Sequence, residues 1–302
     1  MIKPSDIYPE LFHYTTLGGL EGILKSQSLW ATHYQDLNDS QEMIYAKQVL
    51  KKHVVPYLIN QIEQMVKTGV LDKKQIDIES PVGSPANFIA DRWIDNLIQA
   101  SLKGNIATPY IFSFCAHKKA SYEEKNGLLS QWRGYGADGG YALIFNTERL
   151  EALLHEEGRG YSYARLELSD VVYGGDEKKF KEEFASDTKL LCDQILYLEK
   201  LGAGLVGRKE FEMQDLQAIL KCMSRLKHPG FSEEAEVRLV AFLTSEGIHS
   251  KSKLTGETRK VRGLKRVKEK RHIDLFEGLK EKFIINKIII RDRNISKSDG
   301  LK

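Results

Sequence analysis

The succession of strand-like and helix-like segments is the feature that most constrains how this chain can fold. Segments rich in β-branched and aromatic residues, typical of strands, occupy residues 11–15, 28–32, 110–115, 141–145, 165–173, 235–243 and 283–290. Segments with apolar residues at helical spacing occupy residues 17–25, 39–67, 87–103, 176–201 and about 210–225. Because the two types do not alternate strictly, they favour an α+β fold over a doubly wound parallel sheet. We predict one domain over residues 1–302, with a helical insertion at about 39–105.

The composition is that of an ordinary globular protein. The chain has 302 residues, of which 41% are hydrophobic and 29% charged, and this excludes disordered, collagen-like and coiled-coil classes. Its apolar runs are far shorter than a membrane span, and its N-terminus lacks a signal pattern. Three widely spaced cysteines argue against a disulfide framework or a structural zinc site. We therefore expect a cytoplasmic protein with no membrane partner.

Basic residues are concentrated late in the chain. Residues 251–272 contain ten Lys and Arg residues against two Glu residues, although the whole chain has a net charge of only +3. One interpretation is an arm that binds the phosphates of a nucleic acid. The other is a solvated loop without function. Under the first interpretation, the nucleic-acid-binding candidates are Arg259, Lys260, Arg262, Lys265 and Arg266.

The sharpest local feature is the acidic stretch that ends in a predicted strand at residues 234–242. On such a strand Glu234, Glu236 and Arg238 would share one face, with apolar side chains on the other. These charges have two interpretations. They form a cross-strand salt bridge on an exposed edge, or they form a carboxylate pair at the mouth of a cleft. In the second case Arg238 would hold one carboxylate, and the other would bind a ribose hydroxyl or act as a base.

A glycine-rich stretch at residues 130–140 contains Gly134, Gly136 and Gly139, which formally match the dinucleotide-binding pattern G-x-G-x-x-G. That pattern requires a strand before it and a helix after it. Here a strand follows instead, at residues 141–145, so we reject a dinucleotide-binding loop. The glycines are more typical of a tight turn or bulge at the start of a strand.

Aromatic and basic side chains lie beside these glycines. Trp132, Arg133 and Tyr135 could stack on a base or nicotinamide and pair with a phosphate, or they are a core tryptophan with a structural arginine. The acidic residues Asp36 and Asp39 match no calcium-loop spacing, and capping of the following helix explains Asp39 better. We predict no metal site.

The order of these blocks resembles a widespread bacterial family of proteins of unknown function. The resemblance rests on Phe-His-Tyr-Thr at 12–15, Ser-Gln-Trp-Arg-Gly-Tyr-Gly at 130–136 and the acidic stretch at 231–239, and it runs from about residue 11 to 290. The opening strand, helix and strand also resemble the ADP-ribosyltransferase superfamily, in particular its DNA-targeting toxins. This second resemblance implies a split β-sandwich with helical insertions that binds NAD⁺ as its substrate.

The resemblance to the transferases also implies roles for individual residues. His13 would be the first motif, Ser113 or Tyr135 the second, and Glu234-Ala235-Glu236 the third, with Glu236 or Glu234 catalytic. The further residues expected to contact NAD⁺ are Tyr14, Thr15, Trp132, Arg133 and Arg238. A carboxylate near the ribose would stabilise the positive charge that develops as nicotinamide leaves.

The expected function is NAD⁺-dependent ADP-ribosyl transfer by a bacterial toxin or phage-defence effector. The basic segment at 251–272 favours a nucleic acid as acceptor, and such toxins imply an antitoxin or trigger protein as partner. An alternative is a non-enzymatic nucleic-acid-binding or sensor module of a defence system, with the Glu pair as a structural salt bridge. A metal-dependent nuclease is a third possibility, but Arg238 stands where its catalytic Lys would be expected.

Overall fold

The structure is a computed structural model that describes residues 3–37, 41–72, 85–103, 108–136, 139–202, 204, 206–207, 214–243 and 259–291. An antiparallel sheet and helices make up an α+β protein, as predicted. The chain divides into two compact units. The sheet unit comprises Met1–Asn38, Thr108–Val171 and Gly230–Lys302, and the helical unit comprises Asp39–Ala107 and Val172–Pro229.

The strands of the sheet unit are β1 (Glu10–Thr15), β2 (Leu29–His33), β3 (Thr108–Cys115), β4 (Gly140–Asn146), β5 (Tyr163–Asp170), β8 (Glu236–Leu243), β9 (Lys265–Val267), β10 (Lys270–Leu275) and β11 (Ile285–Arg291). Its helices are α1 (Pro4–Ile7), α2 (Leu17–Ser26), α5 (Tyr122–Asn126), α6 (Leu129–Tyr135) and α7 (Thr147–Gly160). The strands follow the order β11-β4-β1-β3-β2-β10-β9, and β8 joins β3 to β5.

The sheet branches at β3. One edge of β3 pairs with β8 along its whole length, from Thr108 to Cys115. The other edge is shared, because β2 pairs with it at Tyr110 and Ile111 and β1 pairs with it only at Cys115. Between those contacts the backbone of β3 needs other partners on this edge. The branching therefore creates a position that a side chain can fill.

Both faces of the sheet are apolar in part, and they differ in what covers them. One face carries the main core, in which α2 and α7 pack Leu20, Ile23, Leu150 and Leu153 against the strands. The opposite face carries a smaller cluster formed by Phe12, Tyr14, Cys115, Trp132, Ala142 and Ile144. Alternation along each strand assigns neighbouring residues to opposite faces.

The helical unit consists of α3 (Glu42–Lys67), α4 (Pro85–Lys103), α8 (Glu177–Gly202), α9 (Gln214–Arg225) and a short parallel pair, β6 (Val172–Tyr173) with β7 (Leu226–Lys227). These helices agree with the predicted segments to within a few residues. The segment predicted as an insertion, 39–105, packs in this unit with residues 172–229, which the periodicity of the sequence does not reveal. Among the described residues, no helix has the length and apolarity needed to cross a bilayer.

Two predicted strand boundaries need correction. The stretch at 165–173 is not one strand, because β5 ends at Asp170 and Val172–Tyr173 pairs with Leu226–Lys227 in the helical unit. The strand predicted to begin at residue 234 begins at Glu236. The Pro229–Glu234 segment before it is a 3-10 turn.

Candidate active site

Two carboxylates lie at the start of β8 in different backbone settings. Glu234 ends the 3-10 turn, Ala235 follows with a φ of +42°, and Glu236 begins the strand. The prediction that Glu236 and Arg238 share one strand face is correct, because both belong to β8. The prediction that Glu234 lies on the same strand is wrong, since the turn orients it separately.

Glu236 and Arg238 form a buried ion pair. Arg238 Nε donates to Glu236 Oε1 over 2.8 Å, and Nη2 donates to Oε2 over 3.1 Å. Glu236 is only 4% exposed and Arg238 only 2%. Charges this deeply buried are tolerated only when they are paired and hydrogen-bonded. The pair is therefore not the exposed-edge salt bridge that was one interpretation of the sequence.

Polar side chains from the neighbouring strands share the face of this pair. Arg238 lies opposite Ser113 on β3 and Ser169 on β5, and Glu236 lies opposite Cys115. Residues opposite each other in antiparallel strands project to the same face. Within the described part of the chain, Ser169 Oγ is buried without a hydrogen-bond partner. Nothing in the sequence singles out Ser169, because its position beside Arg238 depends on strand register.

His13 fills the gap between β1 and the branched edge of β3. Its Nδ1 donates to the Ser113 carbonyl oxygen over 3.0 Å, because a carbonyl can only accept. Its ring stacks on Phe112 with the ring centroids 4.2 Å apart. Burial lowers the pKa of His13 from 6.5 to about 4, and the hydrogen bond to Ser113 opposes this only in part. The imidazole is therefore neutral at pH 7.

His13 and Glu236 lie on opposite faces of the sheet. Phe12 pairs with Cys115, and Cys115 pairs with Glu236, so these three side chains project to one face. His13, the next residue after Phe12, projects to the other. The structure thus does not place the side chains of His13 and Glu236 beside each other on one surface.

We expect replacement of His13 by Gln to flatten the dependence of stability on pH. In the wild type, the unfolded chain binds a proton at this residue below pH 6.5 and the folded chain does so only near pH 4. Acidification between these values therefore favours unfolding. His13→Gln should lose about 1–3 kcal/mol less stability than the wild type between pH 7 and pH 4. Urea unfolding at each pH measures this, with exposed His155→Gln as the control; equal pH profiles for His13→Gln and the wild type would contradict it.

Tyr14 and Trp132 belong to the smaller apolar cluster. The Tyr14 hydroxyl accepts from the Leu128 amide over 2.7 Å and bonds His117 Nε2 over 2.8 Å. Trp132 is 5% exposed, and its Nε1 donates to the Asn126 carbonyl over 2.9 Å. The two rings meet edge to face, 4.9 Å apart. The structure therefore favours a core tryptophan over one that stacks on a ligand.

The glycines around Trp132 make room for its indole. A Cβ atom added at Gly127 would lie 2.5 Å from Trp132 Nε1, and one at Gly140 would lie 2.6 Å from the Gly136 Cα. Gly127 also has a φ of +79°, which side-chain-bearing residues rarely adopt. Within the stretch at 130–140, this packing explains Gly136 and Gly140 without a phosphate. The rejection of a dinucleotide-binding loop agrees with it, since α6 precedes and β4 follows.

The other residues expected to contact NAD⁺ are more accessible than Tyr14 and Trp132. Arg133 and Tyr135 are exposed on α6, and Thr15 is half-buried at the end of β1. A Cβ atom at Gly19 would lie 1.9 Å from Thr15 Oγ1, so α2 approaches this residue closely.

The basic segment is described from residue 259 onward; residues 251–258 lie outside the described part of the chain. Lys265 and Arg266 are exposed on β9, and Arg259 and Lys260 are exposed before it. Lys265 is paired with Asp274 and Glu277. Arg262 differs, because it is 6% exposed and bound to buried Glu157. Arg262 therefore does not belong to an accessible basic surface.

Of the acidic residues considered as ligands of a cation, Asp36 instead forms an ion pair with Arg271. Both carboxylate oxygens of Asp36 accept from the guanidinium of Arg271, at 2.9 Å and 2.7 Å. Chiefly for this reason, the pKa of Asp36 lies well below its usual value of 3.8. Asp39 lies outside the described residues. Over the ranges that the structure describes, no three His, Cys, Asp or Glu side chains form a potential metal site.

Comparison with known proteins gives one partial match. A model for a protein family of unknown function, DUF2971, matches residues 131–239. This range contains both the Trp132 block and the start of β8. No curated protein and no solved structure matches the chain. The similarity is thus to a family whose description carries no activity, and it covers a part of the chain.

Proposed function

We propose that this protein is an NAD⁺-dependent ADP-ribosyltransferase whose reacting carboxylate lies at the start of β8. The observation that carries the proposal is the pair of carboxylates two residues apart, one buried and fixed, the other half-buried on a turn. Ala235 between them holds a φ of +42°. Such a conformation is unfavourable for a residue with a side chain and is concentrated at functional sites.

The two environments suggest different roles for the two carboxylates. A group that contacts a substrate must be reachable, and Glu236 is only 4% exposed whereas Glu234 is half-buried on the turn. We therefore assign the contact with the nicotinamide ribose to Glu234. Glu236 and Arg238 act as positioning residues, because their paired hydrogen bonds hold the first side chains of β8 in place next to Glu234. His13 is assigned a structural role at the gap in the β3 edge.

The reaction at Glu234 follows from its charge. The bond between nicotinamide and C1 of the ribose breaks, nicotinamide leaves as a neutral molecule, and positive charge develops on the sugar. A carboxylate held near the ribose hydroxyls stabilises this charge. The acceptor then attacks C1 and loses a proton, so the products are the ADP-ribosylated acceptor, nicotinamide and a proton.

A nucleic acid is the proposed acceptor. Arg259, Lys260, Arg266 and Lys268 are exposed cations in the described part of the basic segment. A surface of one charge sign attracts a polyanion and orients it before chemistry. The same observation supports the alternative of a nucleic-acid-binding module without NAD⁺ turnover. The role of toxin or phage-defence effector, with an antitoxin or trigger protein as partner, rests on the resemblance to the transferases.

The test is release of nicotinamide from NAD⁺ by the purified protein, with RNA, DNA and protein offered separately. We expect Glu234→Gln to lower the rate about 100-fold or more, because it removes the charge that stabilises the transition state. Glu233→Gln is the matched control, since Glu233 is exposed on the same turn. Each variant must melt like the wild type.

Two results would overturn the proposal in different ways. If Glu234→Gln released nicotinamide at the wild-type rate, Glu234 would not be the reacting carboxylate. If the wild type released none with any acceptor, and NAD⁺ did not raise its melting temperature, the transferase function would be wrong. Nucleic-acid binding without turnover would then remain as the function.

A further inference from the structure

An exposed tryptophan lies in the ribbon formed by β2, β10 and β9. Trp30 is 43% exposed, whereas its neighbours Leu29 and Ala31 are fully buried on the core side of β2. The register pairs Trp30 with Asp274 on β10. It also pairs His272 with Lys265 on β9. The outer face of this ribbon therefore presents the Trp30 indole beside residues of the basic segment.

One face of the Trp30 indole packs against a buried histidine ring. It stacks on the ring of His272, with ring centroids 4.5 Å apart and planes inclined by 24°. His272 itself is buried, so one side of the indole is covered and much of the remainder faces solvent. A side chain held in this way loses little conformational freedom when a ligand stacks on it.

Charged side chains lie beside His272 on the same face of the ribbon. Its Nε2 lies 3.5 Å from Asp274 Oδ1, and Lys265 Nζ lies 2.5 Å from Asp274 Oδ2. Asp274 Oδ1 is buried and accepts no hydrogen bond in the described part of the chain. The stack of Trp30 on His272 thus lies next to the ion pair of Lys265 with Asp274.

Cations lie beside the stack. Lys268 in the hairpin turn and Lys270 at the start of β10 are exposed, whereas Arg266 pairs with Arg271 and so projects to the opposite face of the ribbon. Lys270 alternates with His272 along β10 and so lies on the same face as the stack. Glu269 is the acidic residue of the turn. The hairpin therefore carries a net positive charge next to an exposed aromatic ring.

We propose that this face of the β2–β10–β9 ribbon binds single-stranded nucleic acid. One base stacks on the exposed indole of Trp30, and the adjacent phosphates contact Lys268 and Lys270. Stacking platforms flanked by cations are how proteins bind single strands without sequence preference. A duplex is a poorer ligand, because its bases are already stacked and their faces are inaccessible. The inference rests on the proposed nucleic-acid acceptor and names its binding surface.

The first test is binding of fluorescent oligothymidylate and oligouridylate, each about twelve nucleotides long, measured by anisotropy without NAD⁺. We expect Trp30→Ala to weaken binding about 5- to 150-fold, as expected for loss of one stacked base. Trp30→Tyr should keep most of the affinity and guards against a folding defect. Tyr122→Ala is the control, because Tyr122 is a 73% exposed aromatic elsewhere in the sheet unit. Comparison of the two oligonucleotides separates DNA from RNA.

The second test is the dependence of affinity on salt. The logarithm of the binding constant should fall with the logarithm of salt concentration, by about 0.7 for each phosphate contact. The double variant Lys268→Gln/Lys270→Gln should lower this slope by about 1.4. Lys119→Gln/Lys125→Gln is the control with the same change of charge, at exposed positions outside the ribbon.

Some outcomes would overturn the inference. These are no binding by the wild type, equal binding by Trp30→Ala, an unchanged salt slope in the Lys268/Lys270 variant, or tighter binding of a duplex of the same length. Because NAD⁺ is absent, these results are independent of nicotinamide release. Oligonucleotide binding without NAD⁺ turnover would retain the surface and reject the transferase. Turnover with unaltered activity of Trp30→Ala on nucleic acid would reject the surface alone.

Discussion

Replacing Arg262 by Ala should lower the free energy of unfolding by about 3–5 kcal/mol. Arg262 donates from Nε to Glu157 Oε1 over 2.7 Å and from Nη2 to Oε2 over 2.6 Å. Glu157 is fully buried. Without Arg262, the Glu157 carboxylate would be buried with no cation beside it. Such an uncompensated charge costs far more than a lost surface ion pair.

Besides Arg262, the Glu157 carboxylate accepts hydrogen bonds from two further groups. The Tyr163 hydroxyl donates to Oε1 over 2.5 Å and the Phe276 amide to Oε2 over 3.1 Å. Burial and the adjacent carboxylate raise the pKa of Tyr163, so it stays a donor. The Arg262 guanidinium also lies 3.5 Å from the ring centre of Tyr161. The pair thus joins α7, β5 and the segment before β9.

Urea unfolding of Arg262→Ala measures the effect, with exposed Arg259→Ala as the control from the same segment. A further variant, Arg262→Met/Glu157→Leu, removes both charges and should be more stable than Arg262→Ala. Should Arg262→Ala unfold at the same urea concentration as Arg259→Ala, the buried pair would contribute nothing. Arg262 would then regain its place among the nucleic-acid-binding candidates.

Replacing Arg238 by Met should also cost about 3–5 kcal/mol, because Glu236 would lose the donors to both of its oxygens. Glu236→Gln takes the carboxylate away from the Arg238 guanidinium, but the amide oxygen can still accept a hydrogen bond from it, so we expect a smaller loss. The order of stabilities should therefore be wild type, Glu236→Gln, then Arg238→Met.

Thermal or urea unfolding of the two variants gives this order, and nicotinamide release by the same samples gives their activity. If Glu236 is a positioning residue, Glu236→Gln should reduce the rate less than Glu234→Gln does. A larger loss in a fully folded Glu236→Gln variant would identify Glu236 as the reacting carboxylate. Equal stability of Arg238→Met and Glu236→Gln would show that the buried carboxylate does not depend on Arg238.

Local patterns in the sequence determined the elements of this protein. Alternation placed Glu236 and Arg238 on one strand face, and the absence of a helix after Gly134, Gly136 and Gly139 excluded a dinucleotide-binding loop. These inferences hold because strand alternation and helix periodicity are properties of neighbouring residues. The amphipathic helices could be located for the same reason, although which of them pack together could not.

The tertiary structure decided which distant residues meet. The register Phe12–Cys115–Glu236 separated His13 from the start of β8. Packing between distant segments also buries Arg262 beside Glu157, which lies 105 positions earlier in the chain. Arg262 therefore does not belong to the exposed basic surface. Strand order, register and the partner of a buried charge depend on contacts between remote segments, and a periodic pattern contains no information about its partner. The sequence therefore determined the elements and the candidate side chains, and the packing of the sheet decided which of them share a site.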